Sequence, residues 1–518
     1  MKAHSNIIVT FLLLITELTH SQTSLEWVRF YSKYYSGNQS ARSLTIDSSG
    51  NIYVAGNTFL ISNNYAVIKY SSDGNLVWQF EHQTTENEIP TKVVYSGNRS
   101  VFLTGNTGLY LIGENGNITY LINYNTPDIE KTAQNQLITV SDNAGSLEIN
   151  KYTLNGQWIW RKTKQRTSQT WYSPHYLFCS TNGNINLKGL RSSHFLYWFS
   201  RSDFFLCIDS SGNDVRYTEF PWTISKAIHN SSNDKIYAST FRDISSWHSE
   251  LVTLKFDTNY NVLNTSVYNG PGNSRDEPND IAVDANGNVY ISCKSWGIAV
   301  DYDFVVLKYS MDGDLLWEYR YNGSENSFDS ADKLKIDSEG NIIASGRITR
   351  NSHGVNIYTV KLSPSGDPLW SHIFSRYDSF ADTNSVNDIL ITNSNEIYLC
   401  GQSRNDSSAR YEFLTLKYSN PTNVNNSVTN IPLKYDLRNH PNPFNPSTNI
   451  VFSLPKKSNI KINVFDISGR KVAIVANDIY NEGEYSIKWT PESIPSGIYF
   501  IVLEAPDFRK VSKAILIK

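Results

Sequence analysis

Cysteine is rare in this chain of 518 residues, with only 4, at positions 179, 207, 293 and 400. Four scattered cysteines exclude a disulfide-dense scaffold and a zinc-ribbon array. An excess of one charge is also missing. Lys and Arg number 46 against 49 Asp and Glu, a formal net charge of -3, so the basic surplus of a nucleic-acid binder is absent. Beyond the first twenty residues, no apolar run is long enough to cross a bilayer as a helix. Turn and strand formers dominate over helix formers, and 32 Tyr, 23 Phe and 12 Trp supply core for a β protein. At roughly 100–200 residues per domain, the length calls for several domains or one large repeat array with additions.

Residues 1–21 read as a secretory signal. Lys2 carries the positive charge, Ile7 to Ile15 form the apolar core, and Thr19 and Ser21 are small enough to precede a cut between Ser21 and Gln22. The apolar run is far shorter than the ~20 residues a membrane anchor needs. A soluble, exported mature chain is expected.

The body of the chain repeats itself, and a fixed period decides a fold before any single residue does. Asp47-Ser-Ser-Gly-Asn-Ile-Tyr-Val-Ala-Gly56 is followed by Tyr65 to Trp78. Asp284-Ala-Asn-Gly-Asn-Val-Tyr-Ile-Ser292 is followed by Asp303 to Trp317, and Asp337-Ser-Glu-Gly-Asn-Ile-Ile-Ala-Ser-Gly346 by Tyr358 to Trp370. Weaker copies place further second strands near Arg99, Asn135, Asn184, Lys235 and Glu396, at offsets of about 36 to 55 residues, the range of propeller blades. An inner spacing is constant: Tyr70 to Trp78, Tyr152 to Trp160, Tyr309 to Trp317 and Leu362 to Trp370. Ile112 to Tyr120 keeps it, whereas Arg216 and Asn264 stand at that place in the fourth and fifth copies.

Each copy predicts four short strands joined by Asp- and Gly-bearing hairpin turns. Runs such as Phe304-Val-Val-Leu307 are apolar on both faces, as sheets stacked around an axis require. The eighth copy ends at Tyr418 without a Trp strand, while Glu26-Trp-Val-Arg-Phe-Tyr31 stands alone at the start. Placing that orphan in the last sheet closes a ring and removes an open edge. The expected fold class is therefore all-β: an eight-bladed β-propeller over 22–420, with seven blades as the alternative because the second and third copies are short.

Composition changes at 421–433, a polar, Pro-bearing linker. Over 434–518, alternating strands around Ile460–Val464, 471–475, 485–489, 498–503 and 513–518 predict a small immunoglobulin-like β-sandwich. Asn442-Pro443-Phe444-Asn445-Pro446, Val464 to Asp466 and on through Gly469 and Arg470, Trp489 with Ser496-Gly497-Ile498, and the ending at Lys518 together resemble the type A sorting domain of the type IX secretion system. The resemblance implies recognition by the outer-membrane secretion machinery, removal of the tail by a sortase, and a product that is secreted or held on the bacterial cell surface. The Asn-Pro-Phe-Asn-Pro form is also similar to the immunoglobulin-like domain of flagellar hook-capping proteins. The repeats resemble the bacterial beta-propeller repeat of exported proteins, which has no fixed activity.

The sequence carries few marks of catalytic or metal chemistry. Asp47, Asp284 and Asp337 lack the further carboxylates of a calcium loop and read as turn residues. The histidines show no metal-ligand spacing, and no Gly-x-Ser-x-Gly elbow occurs. Carboxylate pairs for glycoside hydrolysis could converge on the axis, with Asp301 and Asp303, or Asp276 and Glu277, as candidates. The Trp row invites comparison with quinoprotein dehydrogenases, whose calcium site and vicinal cysteines are missing; Trp packing between blades is preferred. Cys179 and Cys207 fall in the first and third strands of one sheet, ~9–10 Å apart, too far for a disulfide. Trp171, Tyr172, Trp198, Trp222, Trp247 and Trp296 lie off the ruler and are candidates for stacking on sugars or peptides, or for capping hydrophobic seams. The expected function is a non-enzymatic exported module that binds a surface glycan or protein, with no catalytic, cofactor or metal residues. The alternative is an exported polysaccharide-active hydrolase or lyase with an active site on the axis.

Overall fold

The computed structural model describes residues 25–517, apart from 33–36, 60–61, 83–84, 98, 181–182, 196–197, 221–222, 299–300, 324–326, 351–352, 378, 420–435, 441, 443, 455–457, 481–482, 492–493 and 507. The signal segment with Ser21 and Gln22, the linker 421–433, Pro443, Lys518 and Trp222 lie outside the described residues. The described residues contain strands and turns and no helix. The chain divides into two compact units, 1–421 and 422–518.

The described residues of the first unit form eight four-stranded antiparallel sheets, numbered 1 to 8 in chain order. Their first strands are Ser40–Ile46, Pro90–Tyr95, Asp128–Lys131, Thr170–Cys179, Lys226–Asn230, Asp276–Val283, Ser330–Ile336 and Asn384–Ile391. Each first strand packs against the next, and the eighth against the first. Sheets 1 to 7 take four consecutive strands. Sheet 8 takes three, and its fourth is Leu25–Tyr31 from the chain's beginning. Val28 lies opposite Leu416 and Phe30 opposite Leu414. Trp27 is buried with Tyr70 of sheet 1 and Tyr398 of sheet 8. Lys417 ties the two chain regions together, with Glu26 and Glu396 each 2.7 Å away.

The repeat motifs have local causes. In the turn after a first strand, Asp47 accepts hydrogen bonds on Oδ1 from the backbone N–H of Ser49 and Asn51, both at 2.9 Å, and on Oδ2 from Asn51 Nδ2. Asp284 repeats this with Asn286 and Asn288, and Asp337 with Glu339 and Asn341. Burial works to raise the Asp47 pKa, but these bonds and Lys69 hold it below the usual carboxylate value. These carboxylates are turn residues, bonded by their own loops and, for Asp47 and Asp337, paired with Lys69 and Lys361 of the third strand.

The Trp ruler also has a cause. Trp27, Trp160 and Trp317 donate Nε1–H to Ser72, Ser210 and Pro364 carbonyls in the neighbouring sheet's last turn, at 3.1, 3.2 and 3.1 Å. Their rings lie over Gly74, Gly212 and Gly366, which hold φ of +77°, +89° and +93°; a Cβ at Gly74 would meet the Trp27 ring at 2.7 Å. In sheets 4 and 5, where Trp is replaced, Arg216 and Asn264 donate to Thr258 and Asp312 carbonyls in the corresponding turns.

The second unit pairs a three-stranded sheet (Asp436–His440, Thr448–Leu454, Gly483–Trp489) with a four-stranded one (Lys471–Tyr480, Ser458–Asp466, Gly497–Ala505, Phe508–Leu516). Ile450, Phe452 and Leu454 from the first share one core with Ile460, Ile462, Ile501 and Leu503 from the second. The alternation of Ile460, Ile462 and Val464 with Lys461 and Asn463 places the apolar side chains inward.

Candidate functional site

The eight first strands enclose a cavity of about 520 Å³. Its size falls within the roughly 300–1,000 Å³ of ligand pockets. One position recurs around it: Ser43, Lys92, Asp128, Tyr176, Lys226, Asp280, Lys333 and Asp388. Each stands immediately before a buried apolar residue, from Leu44 in sheet 1 to Ile389 in sheet 8. In six of the sheets a β-bulge falls just ahead of this residue. A bulge inserts a residue and re-aims the next side chain. Glycine on the second strand makes room: a Cβ at Gly56, Gly346 or Gly401 would sit 2.2, 2.0 or 1.9 Å from the bulged strand's carbonyl oxygen.

The lumen is charged, with carboxylates from three sheets in one role. Asp128, Asp280 and Asp388 each accept the N–H of the following residue on Oδ1, at 2.9, 3.1 and 2.9 Å. Each Oδ2 accepts a backbone N–H of the next sheet: Leu177 at 2.7 Å, Leu334 at 3.3 Å and Leu44 at 3.1 Å. They staple successive first strands. Lys92 neutralises Asp128 at 3.0 Å and also pairs with Glu130; Lys226 lies 3.4 Å from Asp280. Burial raises the Glu130 pKa, opposed by Lys92 and reinforced by Asp128. In sheet 4, Tyr176 takes the ring position and the staple moves to Asp203, which accepts the Ile224 N–H and pairs with buried Lys188 at 3.0 Å. His175 faces Lys188, and burial followed by that ammonium lowers its pKa to about 4. Cys179 lines the lumen with its thiol pushed up to about 12, by burial and then by Glu130 and Asp128, which leaves it un-ionised at neutral pH.

The carboxylates singled out in the sequence lie elsewhere, which corrects that expectation. Asp276 accepts the Gly270 N–H at 2.8 Å, Asp303 holds Arg320 at 2.6 Å, Glu277 pairs with Lys294 at 3.0 Å, and Asp301 accepts the Tyr302 N–H. These bonds serve the loops and strands of sheet 6, not the lumen. Among the described residues no cluster of three or more His, Cys, Asp or Glu side chains could hold a metal. All four cysteines are free; Cys179 ends the first strand of sheet 4 and Cys207 lies in its third.

The off-ruler aromatics divide. Tyr172 is buried in the sheet 4 core beside Phe204, and Trp296 packs edge-on against Tyr302 at 4.9 Å. Trp171 lies in the first strand of sheet 4, and Trp198 opens its third. Trp247 is 80% exposed in the turn between the second and third strands of sheet 5, with the Arg275 guanidinium 5.8 Å from its ring. Ile298 and Phe380 are similarly exposed on sheet 6's corresponding turn and on the connection into sheet 8. In an antiparallel meander those turns and connections fall at one end of the strands.

The motif of the second unit is built around its last strand. Asn442 donates through Nδ2 to the Lys513 carbonyl at 2.7 Å and accepts the Ile515 N–H at 2.9 Å. Phe444 N–H bonds the Ile515 carbonyl, Ile517 N–H bonds the Phe444 carbonyl, and the Phe444 ring packs on Trp489 at 5.6 Å. Asn445 and Pro446 are exposed. Asp466 holds the turn to Gly469, whose φ is +79°, and pairs with Arg470 at 3.0 Å. Ser468 first, with Arg470 also contributing against the effect of burial, lowers the Asp466 pKa to about 2. Gly497 begins the strand that pairs with the last one, opposite Leu516.

Residues 439–518 match the secretion system C-terminal sorting domain, and residues 31–58 match the beta-propeller repeat. The sorting domain indicates export to the cell surface or secretion. No curated protein matches the chain in sequence. Distant likenesses to solved structures include the AfRom2 CNH domain, at 8% identity and a TM-score of 0.36 over 63% of this chain and 94% of that one. A gluconolactonase from Xanthomonas campestris gives 13% and 0.27 over 62% and 83%. The extracellular domain of a putative hybrid two-component system from B. thetaiotaomicron gives 12% and 0.20 over 91% and 77%. Likenesses this remote assign no activity.

Proposed function

We propose that this is an exported, non-enzymatic binding protein. Its eight sheets are the blades of an eight-bladed propeller, and its second unit is an immunoglobulin-like address read by the outer-membrane machinery of type IX secretion, with a sortase as a further partner. The match of residues 439–518 to a secretion sorting domain carries the export half of this reading. The binding half is supported by the use of the lumen carboxylates. Asp128, Asp280 and Asp388 are engaged by backbone N–H groups of two sheets, so they serve as staples and not as a general acid and base. The exposed Trp247, Ile298 and Phe380 offer a loop face for a glycan or protein at the cell surface.

The export half is tested by deleting residues 434–518 and following the remainder in a bacterium that uses this secretion route. Retention inside the cell is expected; arrival at the exterior would contradict it. The binding half predicts saturable binding to a glycan or protein without turnover.

A further inference from the structure

We propose that the lumen binds a small anion carrying two or more negative charges, held by Lys333 and Lys335 of sheet 7 and Arg42 of sheet 1. Lys333 and Lys335 are two positions apart on one strand, so their side chains leave on the same face, ~7 Å apart, and both line the cavity. The lumen's other lysines are matched: Lys92 by Asp128 and Glu130, and Lys226 by Asp280. Lys333 and Lys335 make no hydrogen bond or ion pair with the described residues.

The nearby carboxylate does not complete the pattern. Asp388, on the sheet between these lysines and Arg42, is occupied by Ser43 Oγ at 3.2 Å and by the Leu44 and Ile389 N–H groups. Across the lumen, Glu130 feels the field of Lys335 but is already held by Lys92. Arg42 spends only its Nε on Asn57 Oδ1, at 3.0 Å, and its guanidinium faces the cavity. One wall is thus internally neutralised and the other carries three cations around a carboxylate turned to the backbone. Inside a protein-walled cavity such charges are screened less than in bulk water. Carboxylate, sulfate or phosphate oxygens are the chemistry that matches them. The source is a free small acid or the acidic group of a sugar chain.

This inference deepens the binding reading above by naming a ligand class. The full-length protein is titrated calorimetrically at low ionic strength with citrate, inorganic phosphate and digalacturonate. Saturable 1:1 binding of at least one probe is expected, weakened at least tenfold in the Lys333→Gln/Lys335→Gln double variant and in Arg42→Gln. Lys510→Gln, on the second unit, should bind as the parent does. The double variant should unfold at the same or a higher temperature, because a like-charge pair is removed. Binding of citrate or phosphate alone identifies a free acid; binding of digalacturonate alone identifies an acidic sugar. No saturable binding of any probe by the folded parent, or a loss below tenfold in the folded variants, overturns the site and leaves the binding reading standing. Consumption of a bound probe supports the site and overturns the non-enzymatic reading.

Discussion

Sheets 3 and 6 are joined to a neighbour in a different way from sheets 4 and 5, and the difference shows what the repeat preserves. In sheets 3 and 6, Trp160 and Trp317 donate an indole N–H to a carbonyl in the next sheet's turn. In sheets 4 and 5, Arg216 and Asn264 reach the equivalent carbonyls. In these four sheets the position supplies a donor to the neighbouring turn, and the indole is one way to do so. Trp370 of sheet 7 is an informative exception. Its neighbour, sheet 8, has no turn between third and fourth strands, because the fourth comes from the chain's beginning. The Trp370 Nε1–H is buried without an acceptor among the described residues, and its ring stacks instead on Tyr418 at 5.9 Å.

The largest expected effect is at the seam. Trp27→Ala removes a buried ring shared by sheets 8 and 1 together with its bond to Ser72, and should cost ~3–5 kcal/mol in urea unfolding of the repeat unit. A cost below ~1 kcal/mol would mean that Leu25–Tyr31 is not integral to the ring. Next is a pH effect on the other side of sheet 8. Burial lowers the His372 pKa to about 4, and its ring faces the Tyr418 hydroxyl at 3.1 Å. The folded state therefore binds the proton less readily than the unfolded chain, whose His titrates near 6.5. The stability it protects is complete above pH ~6.5 and is lost as pH falls towards 4, by about 2–3 kcal/mol. Thermal melts of His372→Gln against the parent across that window should show a smaller acid loss in the variant.

Two smaller effects sharpen the latch comparison. Trp317→Phe keeps a ring but deletes the donor to the Pro364 carbonyl, and should cost about 1 kcal/mol, limited because Lys308 Nζ also donates there at 2.7 Å. Trp78→Phe, at the same ruler position and similarly half-buried, should cost less than about 0.5 kcal/mol. Its N–H has no acceptor among the described residues, against the short strands of sheet 2, so no bond seen there is lost. Equal costs for the two would refute a contribution of the indole N–H bond to joining the sheets.

Much of this was legible in the chain because repetition averages out local ambiguity. Second strands expected near Asn51, Arg99, Asn135, Asn184, Lys235, Asn288, Asn341 and Glu396 begin within two residues of those positions. Asp47 and its equivalents were readable as turn residues because one carboxylate, one Gly and one Asn make a self-contained loop. The tail was readable from Asn442 to Gly497, although the strands Asp436–His440 and Thr448–Leu454 were not singled out. The lumen was missed. Its members stand once per repeat, with Ser, Lys, Asp and Tyr exchanged at a single position, so no one residue type marks it. The usable signal was geometric: Ala-Gly at 55–56, Ser-Gly at 345–346 and Cys-Gly at 400–401 mark the second-strand glycines that admit the bulge. Asp301 with Asp303, and Asp276 with Glu277, stand close in sequence, but each pair lies on or beside a single strand of sheet 6 and does not meet at the axis.

The central claim is that the chain's first strand closes the array by pairing with the last repeat. Val28→Cys/Leu416→Cys, which replaces two residues opposite each other, is oxidised under native conditions, digested and examined by mass spectrometry. The account predicts a cross-linked peptide joining the segments around 28 and 416, and none in Val28→Cys/Leu44→Cys. A link between 28 and 44, with none to 416, would contradict it.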